Sequence, residues 1–233
     1  MVSAIVVAAG KGKRLKSRIP KPLIKLGSKP LIIYSLQALS RNRAVKEIIV
    51  VANPLNVKAI ANAIKKYRIK KISSVVLGGR RRQDSVYNGL RKTSPAASLV
   101  LVHDAARPFI NRAVISASLK QAASCAAAIA AVPVKATIKQ VTGYRSQGTG
   151  KIFVKKTIDR RDIWEIQTPQ VFKKELLLKA FRKFGKADVT DEAMLVEKTG
   201  NKVAVVLGTY SNIKVTGPED LIIAEAIIKN GRI

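Results

Sequence analysis

The chain has 233 residues, 47% of them hydrophobic, so we expect a single domain with a substantial core and exclude a disordered chain. One cysteine excludes an internal disulfide, and no stretch approaches the roughly 20 apolar residues of a membrane-spanning helix, so a cytoplasmic protein is expected. The formal net charge of +30 predicts attraction for anions, whether nucleic acids or phosphorylated small molecules. Aromatic residues make up only 5% and do not alternate with basic ones, so no specific nucleic-acid binding is expected.

Apolar strands alternate with amphipathic helices along the first 134 residues. The pattern predicts strands over 3–9, 47–53, 73–79, 98–108 and 126–134, and helices over 30–42, 56–68, 84–93 and 111–125. This order is typical of an α/β protein with a doubly wound, mostly parallel, Rossmann-like sheet. Ligands bind such sheets beyond the carboxyl ends of the strands, where the polar loops of this chain lie.

The pattern changes over residues 137–160, where strand-forming arms flank the turn-forming centre TGYRSQGTG. This predicts a long, protruding β-hairpin. A two-stranded ribbon is only marginally stable alone, so we expect the arm to pack on a partner and to form a homodimer. The remaining elements are predicted as helices over 173–185 and 190–200, a strand over 202–208 and a helix over 218–230. We therefore expect one domain, 1–233, with a dimerisation arm at about 137–160.

The first strand runs directly into the loop GKGKRLKSRIPKPL, residues 10–23. Gly10 and Gly12 allow backbone N–H groups to approach an anion closely. The loop matches neither a Walker A motif nor the complete dinucleotide fingerprint. Arg14 and Lys21 follow the turn, and a proline on each side of Lys21 restricts its backbone. The pattern favours a triphosphate-binding loop, with a solvated basic loop as the alternative.

A second loop, LGGRRRQDSV, follows the third strand. Gly79 permits close backbone approach, and Ser85 lies where the next helix begins and free N–H groups attract anions. Asp84 or Ser85 is expected to cap that helix. Taken alone, this loop is equally typical of a capped helix preceded by an exposed run of arginines.

A third loop, HDAARPF, ends the fourth strand. Asp104 could bind a cation or a sugar hydroxyl, and Arg107 could bind a phosphate, while the alternative is a turn with a surface ion pair. His103 is the only histidine, which excludes a multi-histidine metal site, and we expect it to be a structural turn residue. Cys125, without a neighbouring base, is expected in the core.

Seven segments, taken together, carry a resemblance to a known family. They are AAGKGKR, PKPL, GGRRRQDSV, HDAARPF, TPQVF, VTDEAMLVE and NIKVTGPEDLIIAE. Their order and spacing resemble those of the 2-C-methyl-D-erythritol 4-phosphate (MEP) cytidylyltransferases over nearly the whole chain. The resemblance implies a nucleotidyltransferase fold and the transfer of CMP from CTP to MEP, with Mg²⁺ held mainly by the CTP phosphates.

The resemblance also implies roles for individual residues. The residues implied in catalysis are Arg14, Lys21, Arg160 and Lys214. Those implied in nucleotide binding are Ala8, Ala9, Gly10, Gly12, Gly79, Ser85, Asp104 and Ala105. Those implied in binding MEP are Asp104, Arg107, Thr137, Arg160, Thr168, Thr190 and Lys214. Asp104 is in addition the implied protein contact for the metal, and Thr137 and Arg160 would act in the neighbouring subunit of the dimer.

Two positions depart from the family pattern. Arg80 stands where the family often has an acidic residue, and Pro22 stands where it usually has glutamine. Two alternatives to the MEP reaction follow from the sequence. One is a cytidylyltransferase acting on ribitol 5-phosphate or another polyol phosphate, and the other is a basic nucleic-acid-binding protein.

Overall fold

The predicted strands and helices follow one another in the predicted order, with three further strands between them, in a computed structural model that describes residues 1–10, 12–15, 17, 19–142 and 151–231. The strands are β1 (Val2–Val7), β2 (Lys25–Leu26), β3 (Lys29–Pro30), β4 (Val45–Ala52), β5 (Ile72–Leu77), β6 (Leu99–Asp104), β7 (Ala127–Pro133), β8 (Ile138–Thr142), β9 (Phe153–Ile158), β10 (Trp164–Lys173) and β11 (Ala204–Leu207). The helices are α1 (Leu31–Arg41), α2 (Val57–Lys66), α3 (Arg82–Leu90), α4 (Arg112–Cys125), α5 (Lys174–Phe184), α6 (Glu192–Glu197) and α7 (Pro218–Lys229).

The main sheet has seven strands in the order β11-β7-β10-β6-β1-β4-β5. All its neighbours pair in parallel except β10, which runs antiparallel to both β6 and β7. Strand β1 is at the centre of the parallel part, and its unbroken apolar run suits a strand that is covered on both faces. The predicted doubly wound, mostly parallel α/β sheet is therefore confirmed.

Helices cover both faces of the sheet and divide the core into two layers. On one face, Ala4 and Val6 of β1 belong to a cluster that includes apolar residues of α1, α2 and α4. On the other face, Ile5 belongs to a cluster that includes residues of α3, α5 and α6. The alternation of side chains along β1 thus supplies both layers, and the buried sheet fixes where its strand ends and their loops lie.

Strand β10 is the one strand of the main sheet that the sequence pattern does not predict. Proline within a central strand removes a ladder hydrogen bond and argues against a strand. The structure accommodates Pro169 through an irregularity in the register between Ile166 and Gln170, where residues 167–169 leave the ladder with β7. This irregularity places Thr168 close to the end of β6.

The predicted hairpin is present as β8 and β9, which form a two-stranded sheet of their own. Its centre, residues 143–150, lies outside the described residues. Several apolar side chains of the ribbon are exposed, among them Phe153 (63%) and Val154 (61%). Among the residues that the structure describes, no helix is long and apolar enough to cross a membrane.

Two local predictions were wrong. Helix α3 begins at Arg82, two residues earlier than predicted. Asp84 does cap this helix, because from its third position it accepts a hydrogen bond from the Arg81 N–H group, whereas Ser85 lies in the first turn. Cys125 is exposed at the end of α4 rather than buried, because the buried face of that helix passes through Leu119 and Ala122.

Candidate active site

The loops that follow β1, β5 and β6 meet at the carboxyl edge of the sheet. Val7, the last residue of β1, is paired with Val51 of β4 on one side and with Asp104 of β6 on the other. The Ala105 N–H group donates to the Val7 carbonyl oxygen at 3.1 Å, which extends this pairing into the loop after β6. The three polar loops predicted from the sequence therefore surround one location.

Two asparagines that the sequence analysis did not single out fix the backbone of the first loop. The side-chain amide of Asn56 donates to the Ala8 carbonyl oxygen at 3.0 Å, and that of Asn53 donates to the Ala9 carbonyl oxygen at 3.2 Å. Asn56 is fully buried, so this connection is sheltered from water. By contrast, a Cβ atom added to Gly10 would meet nothing within 4 Å, so the backbone there faces open space.

The glycine loop after β5 packs directly on the first loop. A Cβ atom added to Gly78 would lie 2.5 Å from the Cβ atom of Ala9, so a larger residue would force the two loops apart. The Gly79 N–H group donates to the Ser85 hydroxyl oxygen at 3.1 Å, and that hydroxyl donates to the Arg81 carbonyl oxygen. The predicted nucleotide-binding residues Ala8, Ala9, Gly79 and Ser85 therefore share one wall.

Lys21 returns towards the sheet because Gly12 allows a sharp reversal of the first loop. Gly12 has a φ of +62°, and a Cβ atom on it would lie 3.0 Å from the Cβ atom of Lys21. The Lys21 ammonium donates to the Val215 carbonyl oxygen at 3.1 Å, beside Lys214. Burial, and then the positive charges of Lys214 and Arg14, lower the pKa of Lys21 below its ordinary value. The site thus concentrates positive charge that an anion would stabilise.

Four charged side chains of alternating sign form a continuous network beside Lys21. Lys214 Nζ lies 2.6 Å from Oδ2 of Asp104, and Arg82 contacts Oδ1 of the same carboxylate through Nη2 at 3.0 Å. Arg82 Nη1 lies 2.7 Å from an oxygen of Glu192, which is fully buried. Burial alone would raise the pKa of Asp104, but Arg82 and Lys214 hold it well below its usual range. For Glu192, burial outweighs the attraction of Arg82 and raises the pKa.

Arg82 and Glu192 are residues of the site that the sequence analysis missed. Arg82 is the last of three consecutive arginines, and the pattern gave no reason to separate it from its neighbours. Glu192 follows Thr190 and Asp191 in the segment VTDEAMLVE, where only Thr190 was singled out. The signal that could have identified them is an acidic residue in the first turn of a helix followed by apolar residues, because a buried carboxylate requires a cation.

His103 and Thr168 are joined to Asp104 by a buried chain of hydrogen bonds. The Asp104 N–H group donates to the Thr168 hydroxyl oxygen at 3.1 Å, and that hydroxyl donates to His103 Nδ1 at 2.9 Å. The opposite ring nitrogen, Nε2, then donates to the Arg107 carbonyl oxygen at 3.0 Å. Burial lowers the pKa of His103 to about 4, so the ring is neutral. These contacts give His103 the predicted structural role, but it lies in β6 and not in a turn.

Arg107 is buried and holds two loops together. Its guanidinium donates to the carbonyl oxygens of Asn212 at 2.7 Å and Ile166 at 3.1 Å. Burial lowers its pKa, although the nearby Asp104 opposes that shift. Arg107 therefore joins the segment around Thr168 to the segment that carries Lys214.

Most of the predicted MEP-binding residues surround one cavity of about 240 Å³. Those that line it are Asp104, Arg107, Thr168, Thr190 and Lys214, and its other polar lining residues are Arg82, Gln167, Gln170 and Asp191. Thr137 and Arg160 do not line this cavity. Both are exposed at the root of the hairpin, where the Arg160 guanidinium donates to the Lys135 carbonyl oxygen.

The side chains around the cavity do not form a metal cage of their own. Within the described residues there is no cluster of three or more aspartate, glutamate, histidine or cysteine side chains. Both oxygens of Asp104 are already paired with cationic side chains, and Glu192 is paired with Arg82. The donor set therefore does not fit a metal bound by the protein alone.

Glycine loops and clustered cations at the carboxyl edge of a doubly wound sheet define a class of enzyme, the nucleotidyltransferases. The class accounts for the position of the loops, because nucleotides bind such sheets beyond their carboxyl ends. It also accounts for Lys21 and Lys214, since transfer of a nucleotidyl group depends on cationic stabilisation of phosphate oxygens.

Comparisons with known proteins identify the family within this class. The sequence profile of the 2-C-methyl-D-erythritol 4-phosphate cytidylyltransferase family matches residues 2–230. The protein of that name from Alkaliphilus metalliredigens is 45% identical over 231 residues, covering 97% of this chain and 92% of its own length. The chain therefore belongs to the 2-C-methyl-D-erythritol 4-phosphate cytidylyltransferase family.

Solved structures agree with this assignment. The crystal structure of 4-diphosphocytidyl-2C-methyl-D-erythritol synthase from Anaerococcus prevotii has a TM-score of 0.83 and 33% sequence identity, covering 98% of this chain and 96% of that one. The 2-C-methyl-D-erythritol 4-phosphate cytidylyltransferase from Thermus thermophilus has a TM-score of 0.77 and 30% identity, covering 98% of this chain and 100% of that one. The resemblance noted in the sequence is thus confirmed at the level of family and fold.

Proposed function

We propose that this chain transfers CMP from CTP to 2-C-methyl-D-erythritol 4-phosphate, giving 4-diphosphocytidyl-2-C-methyl-D-erythritol and pyrophosphate. The observation that carries the proposal is the convergence of Lys21 and Lys214 beside Asp104, at the carboxyl edge of the sheet, in a chain of this family. The reaction supplies isoprenoid precursors by the non-mevalonate route.

The chemistry requires charge stabilisation and alignment rather than a general base. A phosphate oxygen of MEP attacks the α-phosphorus of CTP, and the bond from that phosphorus to the bridging oxygen breaks as pyrophosphate leaves with the electron pair. The attacking phosphate is already anionic, so no proton has to be removed from it. A neutral, buried His103 is therefore compatible with the reaction.

Arg14 and Lys21 are assigned to the triphosphate. The assignment is supported by the position of Lys21, which is partly buried, anchored on the Val215 carbonyl group and close to two further cations, Lys214 and Arg14. Negative charge grows on the phosphate oxygens and the leaving group during transfer, so cations fixed in place lower the barrier. Arg14 is exposed in the same loop and close enough to Lys21 to lower its pKa, and it would contact the leaving pyrophosphate.

The backbone around the first and second loops is assigned to cytosine and ribose. The residues concerned are Ala8, Ala9, Gly10, Gly12, Gly79, Ser85 and Ala105. This assignment is supported by the close packing of Gly78 on Ala9, which brings the two loops together. The small residues of these loops would leave room for a pyrimidine base. Asp104 lies between this wall and the cavity, so it could meet either the ribose or the acceptor.

The cavity of about 240 Å³ is assigned to MEP, with Asp104, Arg107, Thr168, Thr190 and Lys214 as its binding residues. Lys214 would hold the acceptor phosphate in line with the α-phosphorus. Thr137 and Arg160 would complete this site from the second subunit of a homodimer. The support for the dimer is the ribbon of β8 and β9, whose exposed Phe153 and Val154 would be covered by a partner.

Magnesium is assigned to the nucleotide rather than to the protein. Because the residues that the structure describes form no cage, Mg²⁺ would enter on the CTP phosphates and neutralise part of their charge. Asp104 is the protein group assigned next to it. The cytoplasmic location stays a prediction from the sequence.

Turnover with two acceptors tests the proposed function. CTP-dependent release of pyrophosphate is measured with MEP and, separately, with ribitol 5-phosphate at equal concentrations. We expect a larger kcat/KM with MEP. A clear preference for ribitol 5-phosphate would assign the chain to polyol phosphates, and tight nucleic-acid binding without turnover of either acceptor would reject a transferase.

A further inference from the structure

The side chain of Arg82 lies between two carboxylates from distant parts of the chain. Its Nε and Nη2 atoms donate to Asp104 Oδ1 at 3.2 and 3.0 Å, and Nη1 lies 2.9 and 2.7 Å from the two oxygens of Glu192. The side chain of Glu192 has no exposed area, that of Asp104 is 9% exposed and that of Arg82 is 28% exposed. All three nitrogen atoms of the guanidinium group are therefore engaged by carboxylate oxygens.

This arrangement leaves one oxygen of Asp104 for Lys214. Arg82 holds Oδ1, while Oδ2 contacts Lys214 Nζ at 2.6 Å on the wall of the cavity. Glu192 supplies the second negative charge that balances Arg82. Without that charge, the partly buried guanidinium group would compete with Lys214 for the single carboxylate of Asp104.

We infer that Arg82 and Glu192 are positioning residues for the transfer reaction, acting through Asp104 on Lys214. The inference rests on the proposed function. Glu192 fixes the guanidinium group of Arg82, Arg82 fixes the carboxylate of Asp104, and the fixed carboxylate orients Lys214 towards the acceptor phosphate. Because two carboxylates already balance Arg82, its role is to set geometry and not to attract the substrate.

The substitution Glu192→Gln tests the inference with almost no change in shape. We expect kcat/KM for MEP to fall by about 10-fold or more, while KM for CTP stays within about twofold. The matched control is Glu47→Gln. Glu47 accepts hydrogen bonds from the Ser3 hydroxyl and the Ser94 N–H group near the opposite edge of the sheet. This control removes a structural carboxylate and should leave both kinetic constants unchanged.

A double-mutant cycle separates positioning from a merely structural role. If Glu192 acts through Lys214, then Glu192→Gln should reduce kcat/KM by less than about threefold in a Lys214→Ala background. Arg82→Lys is the second variant, because one ammonium group cannot bridge both carboxylates, and it should show the same dependence on Lys214. If the fold-reductions in kcat/KM of the single variants multiply in both double variants, the residues act independently of Lys214 and the inference is overturned.

Crystal structures of the wild type and Glu192→Gln distinguish failure of the inference from failure of the proposed function. If the wild type does not use MEP, the proposed function fails, and the contact between Lys214 Nζ and Asp104 Oδ2 then decides the inference alone. We expect that contact near 2.6 Å in the wild type and lost in Glu192→Gln. The same contact in both proteins would overturn the positioning role.

Discussion

Among single residues, Lys21 joins the first loop to the segment that carries Lys214. The turn at Gly12 and the hydrogen bond to the Val215 carbonyl oxygen fix the position of the Lys21 ammonium group. The sequence indicated only that the flanking prolines restrict the backbone of Lys21. These contacts distinguish Lys21 from the other basic residues of the first loop, which the sequence pattern alone does not do.

The substitution Lys21→Ala should lower kcat by roughly 100-fold or more, since a fixed donor to the developing phosphate charge would be lost. The measurement is steady-state release of pyrophosphate at saturating CTP and MEP. Lys25→Ala is the control, because Lys25 is exposed in β2 and outside the site. A kcat close to that of the wild type would remove Lys21 from the mechanism.

His103 makes stability depend on pH. In the folded protein burial lowers its pKa to about 4, whereas an ordinary histidine has a pKa of 6.5. Between these values the unfolded chain binds a proton that the folded chain does not, so the stability is complete above pH 6.5 and falls as the pH is lowered towards 4.

We expect the free energy of unfolding in urea to fall by up to about 3 kcal/mol more in the wild type than in His103→Gln between pH 7 and pH 4. The comparison removes the contribution of the carboxylates, which titrate in both proteins. Equal losses in the two proteins would show that His103 is protonated in the folded state.

Among the elements, the ribbon of β8 and β9 exposes the apolar side chains on which the proposed dimer rests. Replacing Phe153 and Val154 together by serine should weaken self-association by at least about 10-fold, because their apolar surface would no longer be removed from water. Sedimentation velocity over a range of protein concentrations measures this change.

The control for the ribbon is Leu55→Ser, which replaces a leucine that is 90% exposed outside the ribbon. We expect this variant to sediment like a dimeric wild type. A wild type that sediments as a monomer at micromolar concentration, or a ribbon variant that stays dimeric, would contradict the proposed dimerisation arm.

Sequence patterns predict elements when the pattern is regular, and β10 shows where they fail. The apolar runs of β1, β4 and β6 and the periodic helices between them were sufficient to predict a parallel sheet. In β10, Pro169 and its polar neighbours interrupt the pattern at the place where the strand leaves the ladder to bring Thr168 to the site. The irregularity around Pro169, which prevented prediction of the strand, is therefore the same irregularity that places Thr168 beside the cavity.

For the whole molecule, the sequence predicted which polar loops lie at the carboxyl edge of the sheet but not which charges balance one another. Arg81 and Arg82 are adjacent and alike, yet Arg81 pairs with Asp84 one turn away and Arg82 pairs with Glu192, 110 residues away. Only the assembled fold separates them. Likewise, Asn53 and Asn56 became visible as parts of the site only through their contacts with the first loop.

The charge of +30 belongs to the whole molecule and not to the site alone. It predicts general attraction for polyanions, so retention on a polyanion column would not distinguish a transferase from a nucleic-acid-binding protein. Turnover of a defined acceptor does distinguish them, because it requires the aligned groups of one cavity.

Competition between acceptors is therefore the most direct test of the central claim. The wild-type protein is given CTP, Mg²⁺ and equal concentrations of MEP and ribitol 5-phosphate, and both cytidylyl products are quantified by mass spectrometry at early times. We expect 4-diphosphocytidyl-2-C-methyl-D-erythritol to predominate strongly. Predominance of the ribitol product, or the absence of both products, would contradict the assignment.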